Sequence, residues 1–233
     1  MSRGADDAPG YASPPCFAHE LEHGPDGYVT VDRAQADDVA RWRKGERRRL
    51  IDERLAVPAA ERRRIASVVA ERLDRLLRGV DDAVVSLYWP FRGELNLRTW
   101  MQAVHESGAR VALPIVEAAG RPLTFREWTP EGRMEPGVWK IPVPVDGEVL
   151  TPSIVISPLV GYDGGGYRLG YGGGFFDRTL ERLRADGKHP RVIGVGHAGA
   201  RIPTIYPQPH DIPMDVIITE TEQIERPGSA PAP

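Results

Sequence analysis

GYDGGGYRLGYGGGFFDRTLERL occupies residues 161–183, between two segments of regular periodicity. Before it, residues 153–160 (SIVISPLV) are a β-branched apolar run, the pattern of a buried strand. After it, residues 177–185 (DRTLERLRA) put Leu180 and Leu183 on one helical face, with Asp177 as a natural N-cap and Gly187 just past the end. The predicted order is strand, glycine-rich loop, helix. Gly170, Gly172, Gly173 and Gly174 leave the loop almost bare, so backbone N–H groups can close on an anion. The helix N-terminus adds its partial positive charge at the same place. Arg168 is a cation at the entrance of the loop. Asp177 is a carboxylate at its exit, where a magnesium ion on a polyphosphate can sit. An N-cap aspartate needs no metal, so both readings of Asp177 stand.

A glycine loop alone is usually a turn. Two familiar phosphate loops are excluded, because the stretch contains neither GxxxxGK[ST] nor a complete dinucleotide fingerprint. Arg168, spaced glycines, three aromatics and an aspartate in one short segment nevertheless point to a nucleotide. The net charge of −3 exerts no global pull toward nucleic acid or a membrane surface. The lone cysteine, Cys16, has no partner for an internal disulfide. No apolar run approaches the roughly 20 residues that span a bilayer, and no signal peptide opens the chain. A soluble cytoplasmic protein is expected. Composition divides it into a flexible extension (residues 1–33), a single α/β domain (34–226) and a disordered tail (227–233).

Residues 34–57 are expected to be helical, with Val39, Trp42, Leu50, Ile51 and Leu55 as the apolar side. The same segment carries Arg41, Arg43, Lys44, Arg47, Arg48 and Arg49. This run is either a solvated face balanced by Glu46, Asp52 and Glu53, a nucleic-acid patch, or an anion clamp. In the last reading Arg43 and Arg47, four apart, close over an anion at the glycine loop. A second helix follows over about 59–78, then a strand at 83–87 that leads into Tyr88-Trp89-Pro90-Phe91-Arg92-Gly93-Glu94. Glu94, just beyond a strand end, stands where α/β folds place ligand contacts, and also reads as a plain loop glutamate. A third helix carries Leu97, Trp100, Met101 and Val104.

Strands are predicted at 110–116, with Pro114 marking a loop or edge, and at 122–128. Residues 132–152 read as loop. Trp139, in its proline-stiffened centre, is either a hydrophobic plug or a stacking wall for a flat ligand. Strands at 191–196 and 216–219 complete the set. Between them Asp211 is a second carboxylate for the same magnesium as Asp177. The histidines show no zinc spacing, and the chain has no GxSxG.

These pieces resemble the 5-formyltetrahydrofolate cyclo-ligase family over about residues 43–220. The most specific is RLGYGGGFFDR, residues 168–178, which is similar to the family's RLGxGxGyYDR. Supporting pieces are the turn at 88–94, Leu113-Pro114, the WxIPxP at 139–144 and the HDxPxD at 210–215; a K/R-x-x-x-R falls on Arg43 and Arg47. The resemblance implies ATP- and Mg²⁺-dependent closure of 5-formyltetrahydrofolate to 5,10-methenyltetrahydrofolate, with release of ADP and phosphate. It implies that ATP is held by Arg43, Arg47, Arg168, Leu169, Gly170, Tyr171, Gly172, Gly173, Gly174, Phe175 and Asp177. Magnesium falls to Asp177 and Asp211, the folate to Glu94, Trp139 and Phe176, and catalysis to Arg168 and Glu94. The partners implied are a reduced folate and ATP, without membrane or nucleic acid, on a monomer or weak dimer. Phe176 replaces the family's usual tyrosine, and Lys140 and Val143 depart from the WxIPxP pattern.

The element order implies an α/β fold, three αβα layers around a largely parallel sheet. The family's fold resembles that of ribose-5-phosphate isomerases and glucosamine-phosphate deaminases. Two rivals follow: a sugar-phosphate isomerase needing neither ATP nor metal, and a non-catalytic member that binds nucleotide or folate and meets RNA through the basic helix.

Overall fold

The computed structural model describes residues 21–24, 27–30, 33–79 and 82–226. The chain divides into two compact units, Met1–Trp42 and Arg43–Pro233, and the first helix runs through the division. In the first unit β1 (Leu21–Gly24) and β2 (Gly27–Thr30) pair antiparallel, within the segment expected to be a flexible extension. Most of that segment, and the whole tail at 227–233, lies outside the described residues.

The second unit is built on one eight-stranded sheet. Its strands are β3 (Val84–Ser86), β4 (Arg110–Ile115), β5 (Thr124–Trp128), β8 (Val149–Leu150), β9 (Ile154–Pro158), β12 (Arg191–Val195), β13 (Val216–Ile218) and β14 (Gln223–Glu225). Their order is β14-β13-β12-β9-β3-β4-β5-β8. The five central strands from β13 to β4 are parallel, and the outer ones antiparallel. The predicted, largely parallel sheet is therefore present. Buried parallel strands need apolar residues on both faces, and β9 meets that demand. Its Ile154 and Ile156 join the core that holds Ile65, Val69 and Leu73 of α2 (Ala59–Leu76) and Trp100 and Met101 of α3 (Arg98–Glu106). Its Val155 faces a second core with Leu180 of α4 (Phe175–Ala185) and Met214. Helices thus cover both faces, giving three layers.

Four expectations need correction. The inward side of α1 (Arg33–Ala56) within the second unit is Arg43, Leu50 and Arg54, all buried, whereas Leu55 is exposed. Those positions follow i, i+7 and i+11, one helical face. The supposed loop before the glycines contains a hairpin, β10 (Gly161–Tyr162) against β11 (Arg168–Leu169). Its turn is fastened by buried Asp163, whose carboxylate accepts N–H groups of Gly165 (2.9 Å), Tyr167 (3.2 Å) and Ile205 (2.9 Å). Residues 132–152 hold a ribbon, β6 (Met134–Pro136) with β7 (Pro142–Pro144), and the edge strand β8. Periodicity cannot reveal strands of two or three residues. Finally, Asp177 is not the N-cap of α4. Gly174 stands there at φ 61°, and Asp177 lies in the first turn with its carboxylate free for other partners. Pro114 lies inside β4, past Ala112, the last residue that pairs with β3, so one side of the strand is an edge there.

No described helix is long and apolar enough to cross a membrane. Because Asp163 satisfies three backbone donors at once, Asp163→Ala is expected to cost about 3 kcal/mol of stability, read as a lower urea midpoint. An unchanged midpoint would show that the hairpin is held by something else.

Candidate active site

The chain leaves β3 toward β4 and leaves β9 toward β12, so strand order reverses between two adjacent parallel strands. Loops that diverge at such a point leave a crevice beyond the carboxyl ends of the strands. A cavity of about 450 Å³ opens there, and every residue assigned to the site from the sequence lines it.

One wall is built for anions. Among the described residues, no protein partner takes the backbone N–H groups of residues 170–177. The loop carbonyls are claimed instead: Arg47 Nε donates to Gly170 O (2.7 Å), and Arg178 donates to Gly173 O. Gly172 has φ +93°, a conformation that L residues rarely adopt, and a Cβ there would stand 3.3 Å from Arg47 Cζ. Burial and the neighbouring Arg43 pull the Arg47 pKa down while Asp211 opposes them, and burial does the same to Arg168. Both remain cations, since a guanidinium does not lose its proton in a protein.

Arg43 is more committed than the clamp reading expects. Its guanidinium donates to Ile205 O (2.9 Å), Tyr206 O (2.8 Å) and both carboxylate oxygens of Asp211 (2.5 and 3.3 Å). Arg168 pairs with Asp177 (2.9 Å) and lies 5.0 Å over the Phe176 ring. Asp177 also accepts the N–H of Ile212 (3.2 Å), which brings it beside the loop that carries Asp211. The basic run thus splits. Arg43 and Arg47 turn to the site, while Arg49 bonds Glu46 and Glu53 on the exposed side.

A pair of carboxylates suffices for magnesium, which takes its other ligands from phosphate and water. A carboxylate offers about four lone-pair sites. Among the described residues Asp177 spends two, on Arg168 and Ile212 N, and Asp211 three, on Arg43 twice and Gln208 N. Both keep some acceptor capacity and line the cavity, so the residue types fit the ion. No group of three or more His, Cys, Asp or Glu side chains among the described residues forms a metal cage of its own.

The opposite wall is flat and apolar around one buried acid. Trp139 sits at φ 55° in a 3₁₀ turn, edge-on to Phe175 with centroids 6.0 Å apart. It is 59% exposed, so it is not buried as a core plug would be. Glu94 ends a tight turn in which Arg92 (φ 45°) and Gly93 (φ 76°) are both left-handed. Glu94 N donates to Phe91 O (3.1 Å), and Phe91 N donates back to the Glu94 carboxylate (2.8 Å). Burial lifts the Glu94 pKa to about 7, against the opposing effects of Phe91 N–H, the Arg54 charge and the Tyr171 hydroxyl.

Two residues here are given no role by the sequence reading, although Arg178 closes the motif at 168–178. Arg178 holds the loop carbonyl of Gly173 and lies 5.7 Å over the Phe175 ring. Arg54 donates to Arg92 O (3.0 Å), Leu159 O (3.1 Å) and Tyr171 Oη (2.6 Å). Its signal was available: 43, 47, 50 and 54 share one helical face.

Residues 39–220 match the model of the 5-formyltetrahydrofolate cyclo-ligase family. A 5-formyltetrahydrofolate cyclo-ligase of Mycolicibacterium smegmatis is 30% identical over 186 residues, covering 73% of this chain and 89% of the relative. One from Escherichia coli K12 is 30% identical over 145 residues, 59% of this chain and 78% of the relative. Among solved structures, the 5,10-methenyltetrahydrofolate synthetase of Aquifex aeolicus superposes with a TM-score of 0.69 at 27% identity, over 81% of this chain and 94% of that one. A Mycoplasma pneumoniae structure at 18% identity (TM-score 0.62; 76% and 98% covered) shares the fold.

A raised carboxyl pKa is proton uptake on folding. Between the ordinary glutamate value of 4.5 and about 7, Glu94 is protonated in the folded chain and ionised in the unfolded one. Its contribution to stability is full below that window and lost as pH rises through about 7. The ¹³C NMR titration of this carboxyl in the ligand-free protein is expected to centre near pH 7; a midpoint near 4.5 would contradict the burial argument.

Proposed function

The chain belongs to the 5-formyltetrahydrofolate cyclo-ligase family, and from that premise we propose that it converts 5-formyltetrahydrofolate and ATP to 5,10-methenyltetrahydrofolate, ADP and phosphate. The observation that carries the reading is one cavity with two unlike walls. Unclaimed N–H groups with Arg47 and Arg168 face an exposed indole and a buried carboxylate. The first wall suits a polyphosphate, the second a flat, hydrogen-bonding heterocycle such as a pterin.

An N-formyl group is an amide and a poor electrophile. Its oxygen attacks the γ-phosphorus, the bond to ADP breaks, and the formyl oxygen becomes part of a phosphate leaving group. The neighbouring amine of the folate then attacks the formyl carbon and gives up its proton to the departing phosphate or to water, the C–O bond breaks, phosphate leaves, and the ring closes. No protein nucleophile is needed, which agrees with a site of arginines and N–H groups. Such transfer rests on positioning and charge stabilisation. In this reading the loop N–H groups and Arg47 grip the phosphates. Arg168 stabilises the transferring phosphoryl group and orients Asp177. Arg43 fixes Asp211 through its paired hydrogen bonds. Trp139 and Phe176 provide ring faces, and ionised Glu94 accepts hydrogen bonds from the pterin. Asp177 and Asp211 would hold Mg²⁺, which when bound neutralises charge on the phosphate oxygens.

Incubation with 5-formyltetrahydrofolate and MgATP is expected to raise near-ultraviolet absorbance as the methenyl product forms. Its kcat/KM for the folate should rise with pH through about 7 as Glu94 ionises. ATP binding without any absorbance change would redirect the assignment to another substrate. Asp177→Asn keeps an acceptor for Ile212 N and removes the charge. It should raise the Mg²⁺ concentration needed for half-maximal turnover about tenfold or more, and because it leaves buried Arg168 with a neutral partner the melting temperature should fall while the protein stays folded at 25 °C. An unchanged Mg²⁺ dependence would rule out the metal role.

A further inference from the structure

Residues 91–93 present three consecutive carbonyls, and each is met by a donor from a different part of the fold. Tyr171 Oη, on the glycine loop, lies 3.4 Å from Phe91 O. Arg54 Nε, on α1, lies 3.0 Å from Arg92 O. His197 Nε2, beyond β12, lies 3.3 Å from Gly93 O. The turn needs such bracing, because Arg92 at φ 45° occupies a left-handed region that is strained for a non-glycine residue. Tyr171 reaches the turn from the loop itself, whereas Arg54 bonds both the turn and the loop from a third element, α1. One edge of its guanidinium bonds the turn that carries Glu94. The other meets the Tyr171 hydroxyl at 2.6 Å, one residue after Gly170, whose carbonyl Arg47 holds. A third bond, to Leu159 O just past β9, anchors the guanidinium to the sheet. The side chain is buried, and its cation lies 5.8 Å from the centre of the Tyr171 ring.

Resting on the functional reading above, we infer that Arg54 is a positioning residue for this reaction, a buried brace that holds the Glu94 turn and the phosphate loop in one register. Arginine suits the task because its planar fork reaches three acceptors in fixed directions; lysine offers one compact point of charge. The brace also keeps Glu94 usable. Four ionisable groups face that carboxylate or its turn: Arg54 from α1, Tyr171 from the loop, Tyr88 from the end of β3 and His197 from beyond β12. Arg54 and Tyr171 favour the ionised carboxylate against its burial. Burial pushes the Tyr88 and Tyr171 hydroxyls up and His197 down, so all three stay neutral near pH 7. Arg54 is then the cation of the group.

The test follows the Glu94 carboxyl by ¹³C NMR in ligand-free protein, with Glu94→Gln for assignment, beside the pH profile of kcat/KM for 5-formyltetrahydrofolate. Arg54→Gln is expected to move both midpoints up by about one pH unit or more. Arg54→Lys should restore much of the NMR midpoint but not the kcat/KM, because charge returns without the fork. Tyr171→Phe, which deletes one oxygen, should move the midpoint up by roughly half a unit, and Arg54→Lys carries the test if Arg54→Gln does not fold. Midpoints that stay with the unsubstituted protein in the folded variants, with only a lower melting temperature, would reduce Arg54 to a structural residue and overturn the inference. Shifted NMR midpoints in a protein without cyclo-ligase turnover would uphold the brace and overturn the functional reading instead.

Discussion

Two neighbouring strands of this sheet send the chain in opposite directions. From β3 it moves to β4 through α3, and from β9 it moves to β12 through α4, with β3 and β9 side by side and parallel. Their following loops must diverge, and backbone at the carboxyl ends of both strands is left without a covering element. Exposed peptide groups at such a place need partners, from solvent, ligand or the protein itself. Much of the molecule's irregular architecture answers that requirement.

The protein's answer is a helix whose inward face is polar. Arg43, Arg47 and Arg54 reach loop carbonyls of Ile205, Tyr206, Gly170, Arg92 and Leu159, and Leu50 packs with Val160, Leu169, Ile202 and Ile205. Guanidinium groups suit this work because each carries five donors in a rigid plane. Carbonyls of the glycine loop turned to arginines leave its N–H groups unclaimed. Arg47 and Arg178, both half-buried, thus order the loop and leave it, in the proposed function, open to an anion. The residual acid, Glu94, lies where burial and a nearby guanidinium oppose each other, which puts its titration near neutrality.

The central strands were legible because buried β-branched runs have few alternative readings, and the glycine loop because its residue types leave few uses for it. The helix now seen to carry the arginine face was misread on its inward side. A hydrophobic criterion selects Leu55, which is exposed, and passes over Arg43 and Arg54, which are buried. Asp177 was read as a cap because aspartate before an apolar period commonly is one. The left-handed Gly174 took that place and released the carboxylate to Arg168 and Ile212. The ribbon at 134–144 escaped notice because three-residue strands contain too few alternations to stand out.

By itself the sequence determined the α/β class and singled out the glycine loop and many of the residues that line the cavity, since those rest on local residue types and on motifs short enough to read in one dimension. Only the tertiary structure decided how those residues divide their hydrogen bonds. Arg43 is spent on Asp211 and two carbonyls, Arg47 on the loop, and Arg54 on both walls at once. A guanidinium's partners are chosen by which carbonyls the fold brings within about 3 Å, and the acceptors used here lie 38 to 168 positions away along the chain.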